Sequence, residues 1–316
     1  MMEERLSDIG EFGLIGKIRR PGDGTGDDCA VMPQSEGLDA LVSTDILVEG
    51  THFLLDRIPP FDLGWKSAAV NISDIAAMGG VPRSTFLSLS LPGSTPTSWV
   101  LDFMNGFRTL SDKYGTVLRG GDTTGSLHQV CINVTVIGDC PSGSAKLRST
   151  ARPGDLICVT GTLGDSAAGL RAVIDGDSSE IARRLTERHY RPIPRVEEGV
   201  TLRTSAGVHA MMDISDGIAS DILHIMEESG VAAEIDLNRI PVSADLLSFA
   251  GAKGLSAIDL ACCGGEDYEL LFTVSEDSEA LLDIPHTVIG RILPPSGNGN
   301  VKWNGGPAPT GSFRHF

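Results

Sequence analysis

A chain of 316 residues is longer than one hydrophobic core usually supports, so two packed domains are expected. Hydrophobic residues make up 41% and charged residues 21% of the sequence, a balance that excludes an intrinsically disordered chain. With 25 basic and 42 acidic residues the net charge is -17, which excludes the broad basic surface that nucleic acids and anionic membranes require.

The first half of the chain begins with a strand and a helix that both carry polar residues at unusual places. Residues 40–48 alternate as a strand, but the Ser-Thr-Asp sequence at 43–45 interrupts the apolar pattern. Residues 65–78 have helical spacing, and Asn71 and Asp74, three residues apart, would share one helix face. Interruptions of the expected hydrophobic pattern occur most often at functional sites. The sequence at 43–45 therefore favours a ligand site over an exposed edge strand.

A domain boundary is predicted where the composition changes after the next strand. The apolar residues 130–137 predict this strand, and the turn-rich Pro-Ser-Gly-Ser at 141–144 precedes a new apolar run at 155–160. The predicted domains are residues 1–145 and residues 146–316.

In the second half strands and helices continue to alternate. A strand at 156–160 runs into a glycine-bearing turn at 161–166 and then a helix at 167–174. This turn could hold an anion at the helix start, or Asp165 or Ser166 could simply cap the helix. Further strands are predicted at residues 209–214, 268–274 and 287–292. Residues 294–309 are rich in Pro, Gly and Asn and predict a loop, which Trp303 could pin down.

Six short acidic clusters lie beside glycine turns or at the ends of apolar runs. They are Gly26-Asp27-Asp28, Ser43-Thr44-Asp45, Asn71-Ile72-Ser73-Asp74, Gly120-Gly121-Asp122-Thr123-Thr124, Asp213-Ile214-Ser215-Asp216-Gly217 and Gly264-Gly265-Glu266-Asp267. Carboxylates that converge in space repel each other unless cations lie between them. Hard oxygen ligands favour Mg²⁺, which binds through a few carboxylates together with substrate phosphates. The set therefore predicts a metal-dependent phosphate enzyme.

Each cluster taken alone has a simpler explanation. The Asp27-Asp28 pair and the glycines at 120–121 are typical of tight turns, and Ser215 or Asp216 could be the N-cap of a helix. The P-loop and the dinucleotide-binding glycine signature are both missing from the sequence, so bound metals would have to replace a phosphate loop.

The cysteines and the N-terminus indicate a cytoplasmic protein. None of the six cysteines forms a C-x-x-C pair, which argues against a zinc or redox site. Residues 1–10 are acidic and polar where a signal peptide would be basic and then apolar, and no apolar run reaches the length of a membrane span.

Taken together, the motifs resemble the bacterial thiamine-monophosphate kinase family. The resemblance covers almost the whole chain in the family's order, and the wider superfamily of aminoimidazole-ribonucleotide and selenophosphate synthetases shares the aspartates but not the full set. It rests on Gly26 to Val31, Ser43-Thr44-Asp45 with Val48-Glu49-Gly50 and His52-Phe53, Ala69 to Gly79, Gly120 to Thr124, Gly161 to Leu170, and Gly264 to Leu271.

The resemblance implies transfer of the ATP γ-phosphoryl group to thiamine monophosphate, with thiamine diphosphate and ADP as products and several Mg²⁺ ions as cofactors. The implied fold class is α/β (α+β), with two α/β domains of the aminoimidazole-ribonucleotide synthetase-like type. The N-terminal sheets of a homodimer would pair into a barrel-like core. No nucleic-acid or membrane partner is expected.

The resemblance also assigns roles to individual residues. The metal ligands would be Asp28, Ser43, Thr44, Asp45, Asp74, Asp122, Asp213 and Asp216, of which Asp45, Asp74, Asp122 and Asp213 would be catalytic. Gly121, Asp122, Arg148 and Ser215 would bind ATP. His52, Glu266 and Phe313 would bind the substrate, with Trp303 as the alternative aromatic residue.

Two alternatives and one departure stay open at this point. Gly125-Ser126 stands where many relatives place a basic residue, which puts phosphate contacts there in doubt. A related ATP-dependent synthetase that phosphorylates a carbonyl oxygen is the first alternative function. The second alternative is a non-catalytic module in which divalent cations only hold the two domains together.

Overall fold

The computed structural model describes residues 27–34, 37–295 and 301–310, which form two sheets that each carry helices. The strands of the first sheet are β1 (Ala30–Pro33), β2 (Leu38–Val48), β3 (Val81–Pro92), β4 (Val117–Ser126) and β5 (Cys131–Pro141). Its two helices are α1 (Pro60–Ala77) and α2 (Thr97–Lys113).

The first sheet has the order β1-β2-β5-β3-β4 and is antiparallel except for the parallel pair β3 and β4. Ile132, Val134 and Val136 of β5 are fully buried, whereas the residues between them are half-buried. Because side chains alternate across a strand, this pattern places one face against a hydrophobic core with α1 and α2 and leaves the other face outward. We call this second surface the outward face.

The second sheet has the order β11-β8-β10-β6-β9-β7, with only β11 and β8 parallel. Its strands are β6 (Leu156–Val159), β7 (Val208–Asp213), β8 (Ala232–Asp236), β9 (Leu270–Val274), β10 (Thr287–Leu293) and β11 (Lys302–Asn304). The helices of this half are α3 (Asp165–Asp175), α4 (Glu180–Tyr190), α5 (Val196–Thr204), α6 (Ile218–Ser229), α7 (Ala244–Lys253), α8 (Ala257–Cys263) and α9 (Glu276–Glu279). Short 3-10 turns occupy Arg148–Thr150 and Leu237–Arg239.

Each sheet has its own core, so the expected two α/β domains are confirmed, and both of their sheets are mixed. In the second domain Ile157, Met212 and Ile222 belong to one large apolar cluster and are at most 1% exposed. In the described residues neither sheet closes on itself within one protomer.

The two domains meet along α1 and the segment that joins α4 to α5. The Trp65 indole Nε1 donates to the Pro192 carbonyl at 2.9 Å, and the Tyr114 hydroxyl donates to the Pro194 carbonyl at 2.8 Å. These bonds attach α1 and the end of α2 to the second domain. Residues of both domains therefore line the cleft between them.

The structure differs from the sequence-based expectations at three places. Helix α1 begins at Pro60 rather than Trp65, because proline is well suited to the first helical turn. Residues 120–124 lie in the extended strand β4, so the tight-turn alternative is wrong. Residues 302–304 form β11 beside β8, although this region was predicted to be a loop.

In the described part of the chain no single helix is long and apolar enough to cross a membrane, and only the sharply bent pair α7 and α8 meets the criteria of length and composition.

Candidate active site

A cavity of about 1040 Å³ lies between the two domains. It is lined by charged, hydroxyl and apolar side chains from both halves of the chain. Of the residues predicted to form the site, those that line it are Asp28, Ser43, Asp45, His52, Asp74, Arg148, Asp213, Ser215, Asp216 and Glu266. The folded chain therefore brings together residues that are up to 238 positions apart in sequence, from Asp28 to Glu266.

Three aspartates form the centre of the acidic cluster. One carboxylate oxygen from each of Asp28, Asp74 and Asp213 lies within 4.8 Å of the other two. Two serine hydroxyls fix the rotamers of the cluster: Ser43 donates to Asp74 at 2.5 Å, and Ser73 donates to Asp213 at 2.6 Å. Strand β2, helix α1 and strand β7 thus hold the cluster from both domains.

The electrostatic environment of this cluster favours a bound cation. Burial, followed by the charges of Asp45, Asp213 and Asp28, raises the pKa of Asp74 well above its ordinary value of 3.8. Burial and the Asp28 charge raise the pKa of Asp213 in the same way. The buried Oδ2 atom of Asp28 accepts no hydrogen bond from a described residue. A buried acceptor without a donor, surrounded by like charges, fits a divalent cation with oxygen ligands.

A pH experiment can test this interpretation through protein stability. Acids whose pKa is raised by folding stabilise the protein fully below their unfolded pKa of about 3.8, and this contribution is lost as pH rises through the folded pKa. Without divalent cations, the melting temperature should therefore be higher at about pH 5 than at about pH 8. Added Mg²⁺ should raise it more at the higher pH, because the ion replaces the lost protons.

The measurement is thermal unfolding with EDTA and then with excess Mg²⁺ at both pH values. Asp74→Asn should reduce the Mg²⁺ effect at high pH, whereas Asp245→Asn, which changes a surface acid paired with Arg184, should not. An equal Mg²⁺ effect at both pH values would contradict a cation site in the cluster.

Arg148 joins the acidic cluster to the second domain. Its Nη2 donates to Asp28 Oδ1 at 2.7 Å, and its backbone N–H donates to Asp27 Oδ1 at 2.6 Å. Burial opposes the positive charge, but Asp28 outweighs it and raises the pKa of the guanidinium, so Arg148 stays charged. Its Nε has no acceptor among the described residues, and this donor could bind a phosphate oxygen.

Two predicted substrate ligands line other parts of the cavity wall. The Nδ1 atom of His52 accepts a hydrogen bond from the Val48 backbone N–H at 3.0 Å, so in the neutral ring the proton lies on Nε2. Glu266 adopts a left-handed backbone conformation with φ of 65°, which is rare outside glycine and asparagine. Its carboxylate is paired with Lys66 across the domain boundary.

Three predicted residues, Thr44, Gly121 and Asp122, do not line the cavity of the same protomer. The Thr44 hydroxyl lies on the outward face, within hydrogen-bonding distance of the Val134 carbonyl and Thr135 Oγ1. Gly121 has φ of 154° and packs so closely on β3 that an added Cβ would lie 1.7 Å from the Leu87 carbonyl oxygen. Asp122 follows on the exposed edge strand β4.

The two aromatic residues proposed for substrate binding near the C-terminus differ in what the structure describes. Phe313 falls outside the described residues. Trp303 lies on β11 and packs against the core of the second domain, rather than lining the cavity. Thr310, farther along the chain, does line the cavity.

The glycine-bearing turn before α3 is held by a residue that sequence reasoning did not choose. The Asp267 carboxylate accepts from the backbone N–H groups of Gly164 at 2.7 Å and Ser166 at 3.3 Å. The helix start is therefore occupied by a protein carboxylate, and neither Asp165 nor Ser166 caps it. The capping residue lies about 100 positions away, so no local signal could have identified it.

Sequence reasoning also missed Lys66, His189 and Asp221. Lys66 and His189 contact Glu266 in the cavity wall, and the buried Asp221 accepts from the backbone N–H groups of Asp216 and Gly217. A lysine on the buried stripe of α1 was the one available signal, since lysine is almost never fully buried without a partner.

Comparisons with known proteins agree with this geometry. Residues 26–140 match the family model for the AIR synthase related protein N-terminal domain, and residues 152–296 match that for the C-terminal domain. The chain is 43% identical over 282 residues to the thiamine-monophosphate kinase of Buchnera aphidicola subsp. Acyrthosiphon pisum, covering 86% of this chain and 84% of the relative. It is 42% identical over 279 residues to that of Escherichia coli K12, covering 85% and 83%.

A solved structure of AaThiL complexed with AMPPCP and TMP has the same fold. It superposes with a TM-score of 0.92 at 34% identity and covers all of both chains. The motifs, the two-domain fold and these relatives are in agreement. The chain belongs to the thiamine-monophosphate kinase family, within the AIR synthase related proteins.

Proposed function

We propose that this protein is a Mg²⁺-dependent kinase that transfers the γ-phosphoryl group of ATP directly to thiamine monophosphate in the cytoplasm. The observation that carries the proposal is the cluster of Asp28, Asp74 and Asp213 in the interdomain cavity of a chain of this family. In the reaction, a phosphate oxygen of thiamine monophosphate forms a bond to Pγ and the bond from Pγ to the β-phosphate oxygen breaks. The products are thiamine diphosphate and ADP.

The main obstacle to this reaction is repulsion between two polyanions. Mg²⁺ ions bound by the aspartates would neutralise phosphate charge, and the closely spaced Asp28, Asp74 and Asp213 would hold them. Arg148 contributes a fixed positive charge beside Asp28. Because the acceptor phosphate is already ionised near neutral pH, positioning matters more than a general base.

An ADP-release assay distinguishes the proposed kinase from its alternatives. The kinase should release ADP when thiamine monophosphate and Mg²⁺ are both present, and thiamine diphosphate should form in equal amount. A carbonyl-phosphorylating synthetase would instead release ADP with purine-pathway intermediates, and a cation-binding module would release none. Stoichiometric diphosphate product, measured by chromatography, is the expected result; ADP release without it would contradict the proposal.

We further propose that the enzyme is a homodimer in which the outward faces pair and Asp122 of the partner subunit completes each site. Within one protomer Asp122 aligns with Ser88 of β3, Asn133 of β5 and Ile46 of β2. Three strand spacings of about 4.8 Å place Asp122 about 14 Å from Ile46. The Asp122 side chain is too short to span this distance to the cavity of its own protomer.

The outward face has the properties of a subunit interface. Its apolar Ile46 and Phe86 side chains are 52% and 40% exposed. The Thr44 hydroxyl lies on the same face. In the described residues β1 pairs with β2 only over Asp39 to Val42, so the rest of β2 forms a sheet edge beside the cavity. Closing two such sheets into a barrel would bring β4 of one protomer against this edge of the other.

A further inference from the structure

A fully buried lysine forms part of the wall of the interdomain cavity. The Lys66 side chain is 0% exposed and lies on the buried face of α1, next to the fully buried Ser67 and Ala68. Its Nζ lies 2.8 Å from Glu266 Oε1 and 2.9 Å from Glu266 Oε2. A buried ion pair is weak evidence for stability, because desolvation of both charges offsets much of their attraction. The placement of this charge therefore calls for another reason.

Glu266 is held at the cavity surface by contacts from several elements. Its side chain is 27% exposed, and its backbone N–H donates to the Ser215 carbonyl at 2.7 Å. His189 Nδ1 lies 3.4 Å from Oε2 and 2.9 Å from Ser166 Oγ. Burial, followed by the Lys66 charge, lowers the pKa of His189 to about 3, so this imidazole is neutral. Among the described residues, the cationic group in contact with Glu266 is therefore the Lys66 ammonium.

The pairing leaves part of the carboxylate available to a ligand. Burial alone would raise the pKa of Glu266, but the Lys66 charge outweighs it and holds this pKa below its usual range. An ionised carboxylate has about four acceptor positions, and Lys66 uses one on each oxygen. The apolar side chains of Leu170, Val173 and Tyr190 line the same cavity. An anionic acceptor in a cavity that also has apolar lining suits a cationic, nitrogen-bearing ring system.

We propose that Lys66 is a substrate-positioning residue that fixes Glu266 as an oriented, ionised acceptor for the nitrogen-bearing ring end of thiamine monophosphate. The inference rests on the proposed kinase function. It differs from a structural role, in which the pair would only join α1 to the second domain. It also differs from a role for Lys66 in phosphate binding, because both oxygens of Glu266 engage the ammonium.

The test separates these roles by comparing the two substrates. Lys66→Met should raise the KM for thiamine monophosphate on the order of tenfold, because a half-buried carboxyl without its ammonium partner is no longer a fixed anionic acceptor. The KM for ATP should change by less than about twofold. Glu266→Gln should also raise the KM for thiamine monophosphate. The double variant should match Glu266→Gln alone, since Lys66 acts through Glu266.

Arg195→Met provides a matched control. Arg195 forms a partly buried ion pair with Glu269, three residues after Glu266, and neither residue lines the interdomain cavity. This control should lower the melting temperature and leave both KM values unchanged. If Lys66→Met does not fold, comparing the double variant with Glu266→Gln still decides the question, because the double variant leaves no unpaired buried charge.

If the wild-type enzyme is active on thiamine monophosphate, two results would overturn the role of Lys66 and leave the proposed kinase function intact. They are an unchanged KM for thiamine monophosphate in Lys66→Met, and a further rise in this KM when Lys66→Met is added to Glu266→Gln. A parallel rise in the KM for ATP would instead assign Lys66 to phosphate binding and also overturn it. Wild-type protein without activity on thiamine monophosphate would overturn the proposed function itself.

Discussion

Replacing Asp45 with asparagine is expected to lower turnover roughly 100- to 1000-fold without weakening the fold. Asp45 lines the interdomain cavity, and its charge is one of those that raise the pKa of Asp74. Asparagine keeps the volume of the side chain but removes the negative charge that would bind a metal ion. In the absence of metal, loss of this repulsive charge should leave the melting temperature unchanged or higher.

Steady-state kinetics and thermal unfolding of the same Asp45→Asn preparation test both halves of this expectation. The control is Asp245→Asn, which makes the same chemical change on α7, where Asp245 pairs with Arg184 away from the cavity. Its activity should stay near that of the wild type. Normal turnover in Asp45→Asn would remove Asp45 from the site, and a large fall in melting temperature would attribute the loss to misfolding.

Mixing two inactive variants is expected to restore activity if the dimer shares its sites. Asp45→Asn damages the site of its own protomer, whereas Asp122→Asn would damage the site of the partner subunit. A heterodimer of the two would hold one site with both changes and one intact site. Random pairing of equal amounts makes half of the dimers heterodimers, so about one quarter of wild-type activity should return.

The matched control replaces Asp122→Asn with Asp213→Asn in the same mixture. Asp45 and Asp213 line one cavity of one protomer, so every site in that heterodimer carries one change and no activity should return. Co-expression with two purification tags isolates the heterodimers, which should have about half of the wild-type activity because one of their two sites is intact. Failure of the Asp45→Asn and Asp122→Asn pair to recover activity, or full activity of Asp122→Asn alone, would contradict a shared site.

Several elements of the fold could be predicted from local sequence patterns, whereas others, including strand β3 and helix α2, were not predicted. The apolar stripe from Ala68 to Ala76 gave helix α1, and the run around Val134 gave β5, because burial of one face imposes a period on the sequence. Element ends were less accurate. Strand β11 was missed because three residues with one exposed side chain carry almost no periodic signal, and its pairing with β8 is a tertiary contact.

The chemistry of this protein could be inferred from residue types alone: carboxylates and hydroxyls in the motifs of one family predict metal ions and phosphates as ligands. Residue type carries that information directly. Which donors share a cavity depends on how the elements pack, because the packing of α1 against β7 brings Asp74 close to Asp213, whereas Asp122 lies apart on the outward face. The three-dimensional fold was needed to establish this. It also paired Lys66 with Glu266, 200 positions apart, through a contact that no local pattern encodes.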